Sequence, residues 1–394
     1  MIATEAPPRQ GGVAMGWLVL LATPLSLVTT GPTLVLPEIA ADLGVTRDAA
    51  AWVGPVFGWA VALGTPMIAG LVRRRGARAG VLVSAFAAAA GMALVLVAPS
   101  LPVALAGRAL QAAGGAGFVT IAMSLVGSPG RMGLLTSGFS MLGATGALLG
   151  SLVTELTTWR AALALSAVSL LALPVVVRRL PTPNTRTGGF DLRGALALAA
   201  VTSALVLVPR YPLPAAAGAV LAGALLIAHV RARPDGFLPL AVLRQPAFHR
   251  SGALALLIAT SYFGMLYAVP ALLGRAGWAT ATIGVTQLAV LLGGAALGAV
   301  LAGLSSRMSR GALVSALGGV AAVAFALLAA PVPWLLPVAL GLAVCAASAA
   351  QATLGLAAAD AAPPGLRPTA LGLFNLCYQL GGAFGPAIAT ITVL

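Results

Sequence analysis

One arginine lies far from any other charged residue in this sequence. Arg108 is flanked by the charge-free runs 79–107 and 109–130. On a helix, Gln111 and Gly115 lie three and seven residues further along and share its face. An arginine in such a place can bind an anionic group or perturb a proton site. The alternative is an arginine that only fixes the depth of a membrane helix.

Uncharged polar and aromatic side chains recur inside other apolar stretches. Each of them, taken alone, is explained by a hydrogen bond between helices more readily than by contact with a ligand. Together they predict a mostly apolar, weakly polar cavity that suits hydrophobic or amphipathic molecules. These candidates for substrate or coupling contacts, besides Arg108 and Gln111, are Thr29, Thr30, Thr33, Tyr262, Tyr267, Gln287, Gln351, Asn375, Tyr378 and Gln379.

Carboxylates are common proton carriers in membrane transport, and the chain has eight. Glu38 and Glu155, at the ends of predicted helices, are the two that could carry protons. The alternative is that each is a solvated helix cap. All eight acids are predicted to lie in loops or at helix ends: Glu5, Glu38, Asp42, Asp48, Glu155, Asp191, Asp235 and Asp360.

Residues for enzyme chemistry or metal binding are scarce. His229 and His249 lie at or beyond predicted helix ends, with no carboxylate partner or metal-ligand spacing nearby in the sequence. Cys345 and Cys377 fall in apolar stretches and are expected to be buried fillers. No phosphate-binding loop, nucleophile elbow or carboxylate pair occurs. We therefore expect no enzyme activity, no catalytic residues, no metal and no cofactor.

The composition indicates that membrane-spanning helices position these residues. Of 394 residues, 60% are hydrophobic and 8% are charged, and the mean hydropathy is +1.04. The net charge of +14 comes from 22 arginines without any lysine. Charge-free runs long enough to cross a bilayer separate these arginines, so we expect no nucleic-acid partner. Thirteen spans are predicted, at 14–37, 50–72, 79–98, 101–126, 132–154, 159–178, 192–209, 212–230, 251–274, 281–304, 311–330, 334–358 and 368–394.

The placement of the arginines predicts the orientation of these spans. With a cytoplasmic N-terminus, 17 of the 22 arginines fall in cytoplasmic segments and four in external ones, which is the asymmetry typical of inner-membrane proteins. We therefore expect a multi-pass, monomeric protein of the cell inner (plasma) membrane, surrounded by the lipid bilayer. The lysine-free, alanine-rich composition points to a GC-rich, bacterial genome.

Two pairs of short segments indicate an internal repeat. The basic loop from Gly70 to Arg78 resembles the segment 303–310, displaced by 233 residues. The segment 129–131 resembles the segment 364–367. Chance similarity is the alternative for either pair, but both pairs share nearly one register. They predict a six-helix unit, two extra spans and then a second unit. Within the basic loop, Gly70, Arg73, Gly76 and Arg78 are expected to form an anchor and gate element, or simply to carry the charge of the cytoplasmic side.

Glycines on the fifth predicted span leave one helix face clear. Gly143, Gly146 and Gly150 are spaced by three and four residues, which allows two helices to approach closely. We expect the partner to be a helix of the second unit. Gly385 and Pro386 occupy the equivalent region of the thirteenth span.

At these residues the sequence resembles the major facilitator superfamily, and specifically its fourteen-helix drug:proton antiporter branch. The similarity rests on the segment 36–46 followed by Trp52, on the Arg-x-x-Gln-x-x-Gly pattern that begins at Arg108, on the glycines of span five followed by Trp159 and Arg160, and on the segment 238–248. Three positions depart from the pattern of this branch. Val28 and Arg73 stand where it carries aspartates, and Ala147 stands where it carries a proline.

The resemblance implies an all-α integral membrane fold in two bundles with two extra central helices. The expected division is a six-helix bundle at 1–180, a linker with two extra helices at 181–245 and a second bundle at 246–394 that lacks its last helix. The implied function is the export of small hydrophobic or amphipathic compounds, such as antibiotics and other drugs, by alternating access. Coupling to protons is expected to be weak. The alternatives are an uncoupled facilitator or uptake transporter on the same fold, and a membrane scaffold that transports nothing.

Overall fold

The structure, a computed structural model, describes residues 13–30, 35–180, 191–330, 332–363 and 365–392. Throughout this part of the chain the regular structure is helical, without any strand. The first half holds helices α1 (Met15–Ala22), α2 (Leu27–Thr30), α3 (Leu36–Leu43), α4 (Arg47–Ala50), α5 (Val53–Leu96), α6 (Leu101–Leu125), α7 (Pro129–Leu156), α8 (Trp159–Leu163) and α9 (Leu173–Arg179). The second half holds α10 (Leu192–Leu207), α11 (Pro212–Ala232), α12 (Leu240–Leu243), α13 (Pro246–Arg275), α14 (Thr280–Leu304), α15 (Arg310–Ala329), α16 (Leu335–Asp360) and α17 (Arg367–Thr392). Short 3₁₀-helices occupy Thr23–Ser26, Leu165–Ala172 and Ser305–Arg307.

The long helices form where the sequence is apolar on every helix face. Several of them begin at a proline or at a capping serine. A proline stands at the first or second position of α6, α7, α11 and α13, where its missing N–H costs no helical hydrogen bond. Ser309 caps α15 by accepting a hydrogen bond from the Ala312 N–H. Within the described residues, seven helices are long and apolar enough to cross a membrane. The all-α membrane fold predicted from the sequence is confirmed.

Helix α5 covers two predicted spans, 50–72 and 79–98. Its one non-helical residue is Gly76, with φ 80° and ψ 165°, a backbone conformation that residues with a β-carbon rarely adopt. The second arm folds back onto the first. The two arms are so close that a β-carbon at Gly80 would lie 2.5 Å from the Val72 side chain. The glycine of the basic loop therefore makes the reversal between the two spans.

The sequence predicts continuous helices for spans one and six, at 14–37 and 159–178, but both spans are broken. The buried 3₁₀-helix Thr23–Ser26, with Pro24 at its start, separates α1 from α2, and Leu165–Ala172 separates α8 from α9. A 3₁₀ turn bonds residue i to i+3, so some carbonyl groups at each break lose their usual partner four residues ahead.

The helices pack as two groups with a hairpin beside them. In the first group α5 packs against α6, and α7 against α2; in the second, α13 packs against α17 and α16, and α14 and α15 against α16. Helices α10 and α11 pack together as the hairpin, and α10 also contacts α5 and α17. The groups meet where α7 contacts α14 and α16, and where α17 contacts α5 and α6.

The two groups are in contact at the helix ends that carry most of the arginines. A β-carbon at Gly133 of α7 would lie 2.7 Å from the Ala302 β-carbon of α14, and one at Gly372 of α17 would lie 2.6 Å from the Ala69 β-carbon of α5. A buried apolar cluster joins both groups there: Leu18, Ala22, Ala122, Met123, Val126, Met132, Leu135, Ala302, Ala352, Leu356, Ala359 and Leu371. The molecule is thus closed at its arginine-rich end.

Candidate functional site

A small cavity of about 10 Å³, enough for roughly one water molecule, lies between the two groups of helices, next to the apolar cluster that closes the arginine-rich end. Six of its lining residues belong to α1, α6 and α7, and the seventh is Gln351 of α16. Drug-sized ligands usually occupy roughly 300–1,000 Å³, so a larger substrate requires the two groups to move apart. The lining residues are Ala22, Val119, Met123, Leu135, Thr136, Phe139 and Gln351.

Few polar atoms face this cavity. The Thr136 hydroxyl lies 3.2 Å from both the Gly133 and Ser348 carbonyl oxygens, so it is already engaged, and the second of these contacts links α7 to α16. The Asn375 amide, buried beside the cavity, lies 3.2 Å from the Met123 sulfur. Gln351 makes no hydrogen bond with any other residue that the structure describes. Its amide is therefore a polar group at the cavity without a hydrogen-bond partner in the described part of the chain.

Arg108 is completely buried inside the first group. Its Nη2 donates to the Val28 carbonyl oxygen at 2.8 Å, and its Nη1 donates to Gln111 Oε1 at 2.8 Å. The guanidinium also lies 4.2 Å from the centre of the Phe57 ring, a cation–π contact that is strongest away from water. Its Nε has no partner among the described residues.

Gln111 extends this arrangement to the sixth span. Its Nε2 donates to the Leu163 carbonyl at 2.6 Å and to Ser166 Oγ at 2.9 Å. Leu163 ends α8, where the 3₁₀-helix begins and the Ala167 N–H bonds to Ala164 instead. Arg108 and Gln111 thus tie α6 to the two broken spans, through the Val28 carbonyl in α2 and the Leu163 carbonyl at the break in span six.

The Val28 carbonyl, which Arg108 contacts, lacks a backbone hydrogen-bond donor because of a proline four residues further along. In a continuous helix the Val28 carbonyl would accept from the N–H of residue 32, which is proline and has no N–H. A guanidinium hydrogen bond replaces the missing one. The arginine therefore binds the backbone of position 28. This is the position where the antiporter branch that the sequence resembles carries an aspartate and this chain has valine.

The structure brings few of the sequence candidates to the cavity. Arg108 lies eleven residues from Val119 on α6, roughly 16 Å along the helix axis at 1.5 Å per residue. Gln287 lines a separate shallow recess within the second group, too small to hold a water molecule. Tyr262 packs on Phe263 with ring centres 4.7 Å apart, and Phe263 meets Tyr378 at 6.1 Å.

The remaining polar candidates lie apart from the cavity lining. Thr29 donates to the Leu25 carbonyl of its own span, Tyr267 is 46% exposed, and Gln379 is half-buried. Thr33 lies outside the described residues, and nothing is described of the Thr30 side chain. The lining residues Thr136 and Phe139 were missed by the sequence analysis. Thr136 could have been found, as a polar residue one to two turns inside a predicted span.

The basic loop, predicted to be an anchor and gate element, packs against the segment that follows α11. Arg73 Nη2 donates to the Gly236 carbonyl, just beyond the hairpin, and a β-carbon at Gly70 would meet the Phe237 ring at 2.5 Å. Arg78 is half-buried, next to the reversal at Gly76. The basic loop therefore contacts the segment that follows α11.

The expectation that Gly143 faces the second group of helices is wrong. The nearest atom to a β-carbon there would be the Ser26 β-carbon, 3.5 Å away on the broken first span. Gly146 and Gly150 are buried on the same helix. Close approach to the second group falls instead on Gly133. In α17, a β-carbon at Gly385, next to Pro386, would lie 2.5 Å from the Thr260 carbonyl of α13.

The seven acids in the described part of the chain all lie at helix ends or in loops. Glu38 and Glu155 are exposed. Asp42 accepts hydrogen bonds from Trp159 Nε1 and Arg160 Nη1 at 3.1 and 2.5 Å, and these two bonds lower the pKa of its carboxyl. Asp360 pairs with Arg367.

His229 has a carboxylate partner, contrary to the sequence analysis. Its Nε2 lies 2.9 Å from Asp191 Oδ2, and this carboxylate also accepts the N–H groups of Gly194 and Phe237. Burial raises the pKa of Asp191, but the hydrogen bonds from His229, Phe237 and Gly194 outweigh it and set the pKa at about 2. The two partners are 38 residues apart, so local spacing could not reveal the pair.

The chain belongs to the Major Facilitator Superfamily, whose family model matches residues 16–386. It is therefore a multi-pass membrane transport protein. The crystal structure of the human organic anion transporter MFSD10 (TETRAN) is similar, with a TM-score of 0.64 and 18% identity over 98% of this chain and 94% of that one. The proton:xylose symporter XylE bound to 6-bromo-6-deoxy-D-glucose gives a TM-score of 0.59 and 16% identity over 94% of this chain and 87% of that one. No curated protein sequence matches the chain.

At these identities the two structures show the shared fold alone. They support the major-facilitator two-bundle architecture predicted from the sequence. In the described part of the chain, no three His, Cys, Asp or Glu side chains come together as metal ligands would.

Proposed function

We propose that this protein is a secondary transporter that exports small hydrophobic or amphipathic compounds, including antibiotics and other drugs, by alternating access. The observation that carries the proposal is the cavity between the two groups of helices. Its lining is apolar except for Gln351 and Thr136, which suits molecules that partition from the bilayer. Because both groups contribute to it, separating them at one end and then at the other would expose a bound molecule to each side in turn.

The orientation and the domain division are part of the proposal. We assign residues 1–180 to the first bundle, 181–245 to a linker with the extra helices α10 and α11, and 246–394 to the second bundle. We place the arginine-rich ends in the cytoplasm of a bacterial cell, following the arginine asymmetry, and assign the chain to the fourteen-helix drug:proton antiporter branch. External labelling should reach a cysteine introduced at Asp48, and should miss one at Arg75; the reverse result would invert the orientation.

Efflux from cells with and without the gene tests the transport proposal. A panel of fluorescent dyes and antibiotics should leave cells that express the protein faster. Val119→Trp, which fills the cavity, should remove this difference. Val220→Trp is the matched control, since Val220 is 74% exposed on α11 and its side chain lies outside the cavity.

Other outcomes would favour the alternatives. Equilibration of the compounds, without accumulation against a gradient, would indicate a facilitator or an uptake transporter. If no compound moved in cells or in proteoliposomes, the result would favour a membrane scaffold without transport activity.

A further inference from the structure

The cavity between the two bundles lies among uncharged side chains. All seven acids in the described part of the chain lie at helix ends or in loops, and the eighth, Glu5, lies ten residues before the first described helix. Among the residues that the structure describes, Arg108 is the one charged side chain deep within a span, and it is completely buried with both Nη atoms engaged. No lining residue of the cavity is ionisable.

This arrangement sets an energetic condition on the substrate. A charge moved from water into an apolar space loses its hydration, and a nearby opposite charge or several hydrogen bonds must compensate for that loss. The cavity offers neither a carboxylate for a cation nor an available guanidinium for an anion. A neutral molecule loses much less hydration, and the apolar walls formed by Val119, Leu135 and Phe139 stabilise it.

We propose that the cavity selects uncharged molecules that carry a hydrogen-bonding group, and that Gln351 is the side chain that binds this group. The inference rests on the proposed function and names the substrate class of the same site. Of the polar groups near the cavity, Thr136 already contacts two carbonyls and Asn375 contacts the Met123 sulfur. The Gln351 amide offers one acceptor and two donor positions, which match a hydroxyl, ester, ketone or amide.

The position of Gln351 also gives it a part in coupling the two bundles. It is the one lining residue from the second bundle, opposite six from the first. A molecule that packs on Phe139 and Val119 while bonding to Gln351 therefore contacts both bundles at once. Its binding energy depends on the distance between them, which is the condition for a ligand to shift a conformational equilibrium.

The test uses purified full-length protein in proteoliposomes and matched fluorescent compounds that share one skeleton. One compound bears a hydroxyl, the second a quaternary ammonium group, the third a sulfonate and the fourth only hydrogen. The wild-type protein should move the hydroxyl compound at least about tenfold faster than either charged compound. Gln351→Leu should lower the rate for the hydroxyl compound toward that of the unsubstituted one. Gln351→Glu should raise the rate for the quaternary ammonium compound.

Gln245→Glu is the matched control, because it makes the same chemical change at the half-buried N-cap position of α13, outside the cavity lining. It should leave all four rates unchanged. Size-exclusion chromatography shows whether each variant stays folded, and Gln351→Met provides a second apolar variant of similar length if Gln351→Leu does not. Equal wild-type rates for the neutral and the charged compounds would overturn the inference while leaving the proposed function intact. A failure to move any of the four, with the dye panel also unmoved, would count against the proposed function itself.

Discussion

Two glutamines in apolar surroundings, Gln111 and Gln351, differ in what their amides contact. Gln111 lies inside one bundle, accepts from Arg108 and donates to Leu163 and Ser166. Gln351 lies at the cavity between the bundles and forms no hydrogen bond with any residue that the structure describes. A polar group inside a membrane is costly unless it is paired. Gln111 is paired within the protein, whereas the Gln351 amide is the group that we propose binds a ligand.

This difference changes how the buried arginine is interpreted. The sequence suggested that Arg108 binds an anionic group or perturbs a proton site. The structure shows that its Nη atoms bond to the Val28 carbonyl and to Gln111. With those contacts, Arg108 holds together three spans of the first bundle, and a direct role in binding substrate stays a prediction.

The largest effect is expected for loss of this arginine. Arg108→Ala removes the donors to Val28 and Gln111 and leaves a void beside Phe57. Each buried polar atom left without a partner costs about 1–3 kcal/mol, so both the melting temperature in detergent and the transport rate should fall. Arg108→Lys keeps one charge but not the forked geometry, and should restore only part of either quantity.

Gln245→Ala, at the half-buried N-cap position of α13, is the control for expression and purification of the variants. If Arg108→Ala melted like the wild type but failed to transport, a purely structural role for Arg108 would be contradicted. Arg108 would then act on the substrate or on a proton site, as the sequence suggested, rather than by holding the bundle together.

The next effect concerns the closed end beside the cavity. Gly133→Leu and Gly372→Leu each place a side chain where a β-carbon alone would lie 2.7 or 2.6 Å from the opposite bundle. The arginine-rich ends should then stay apart, and transport should fall at least about tenfold while the protein remains folded. A cysteine at Leu356, which is 4% exposed in the apolar cluster there, should become reactive to a maleimide in a background without Cys345 and Cys377.

Gly223→Leu is the matched control, because a β-carbon at this position of α11 has no atom within 4 Å. It should change neither transport nor labelling. Unchanged labelling at Leu356 in both interface variants would show that this contact can relax without opening the end of the molecule.

The sequence predicted the helices well because charge-free length decides where a chain can cross a membrane. The two arms of α5 and the start of α6 follow from runs of apolar residues. The two-bundle architecture was implied by the internal repeat and by the resemblance to the major facilitator superfamily. The breaks at Thr23–Ser26 and Leu165–Ala172 were missed, because apolar composition does not distinguish an α-helix from a 3₁₀-helix. Pro24 and Pro32 were the available signals in the first span.

The site was predicted less well, since it depends on which faces of distant helices meet. Gln351 was identified as a polar residue in an apolar run, and it does line the cavity. Thr136 was missed, and Gln287 lies in a different space. The pairing of Arg108 with a backbone carbonyl of α2, and of His229 with Asp191, joins residues 80 and 38 positions apart. Residue spacing within one helix cannot predict such contacts.

A smaller effect is expected for Asp191, a second polar group that the protein satisfies. Its pKa of about 2 lies below the ordinary value of about 3.9, so its stabilising effect is present above pH 4 and is lost as the pH falls toward 2. Asp191→Asn should lower the free energy of unfolding by about 1.5–3 kcal/mol, the usual contribution of hydrogen bonds to a charged group. Amide exchange at Gly194 and Phe237 should become faster, whereas Asp235→Asn, at an exposed position, should leave it unchanged. Slow exchange at both amides in Asp191→Asn would mean that the hairpin is held by apolar packing alone.

The smallest effect, close to none, is expected for the two acids that could carry protons. A proton carrier in an antiporter must bind and release protons as the cavity switches sides, which requires a carboxylate within reach of that cavity. Glu38 and Glu155 are exposed near helix ends, outside the cavity lining. Glu38→Gln and Glu155→Gln should therefore transport like the wild type, and an imposed pH gradient should change the wild-type rate little. A strong dependence on the gradient that either substitution abolished would show that an exposed carboxylate carries the proton. A strong dependence that survived both would assign coupling to another group, and the pairs that Asp42 and Asp191 form would be the first to examine, by Asp42→Asn and Asp191→Asn.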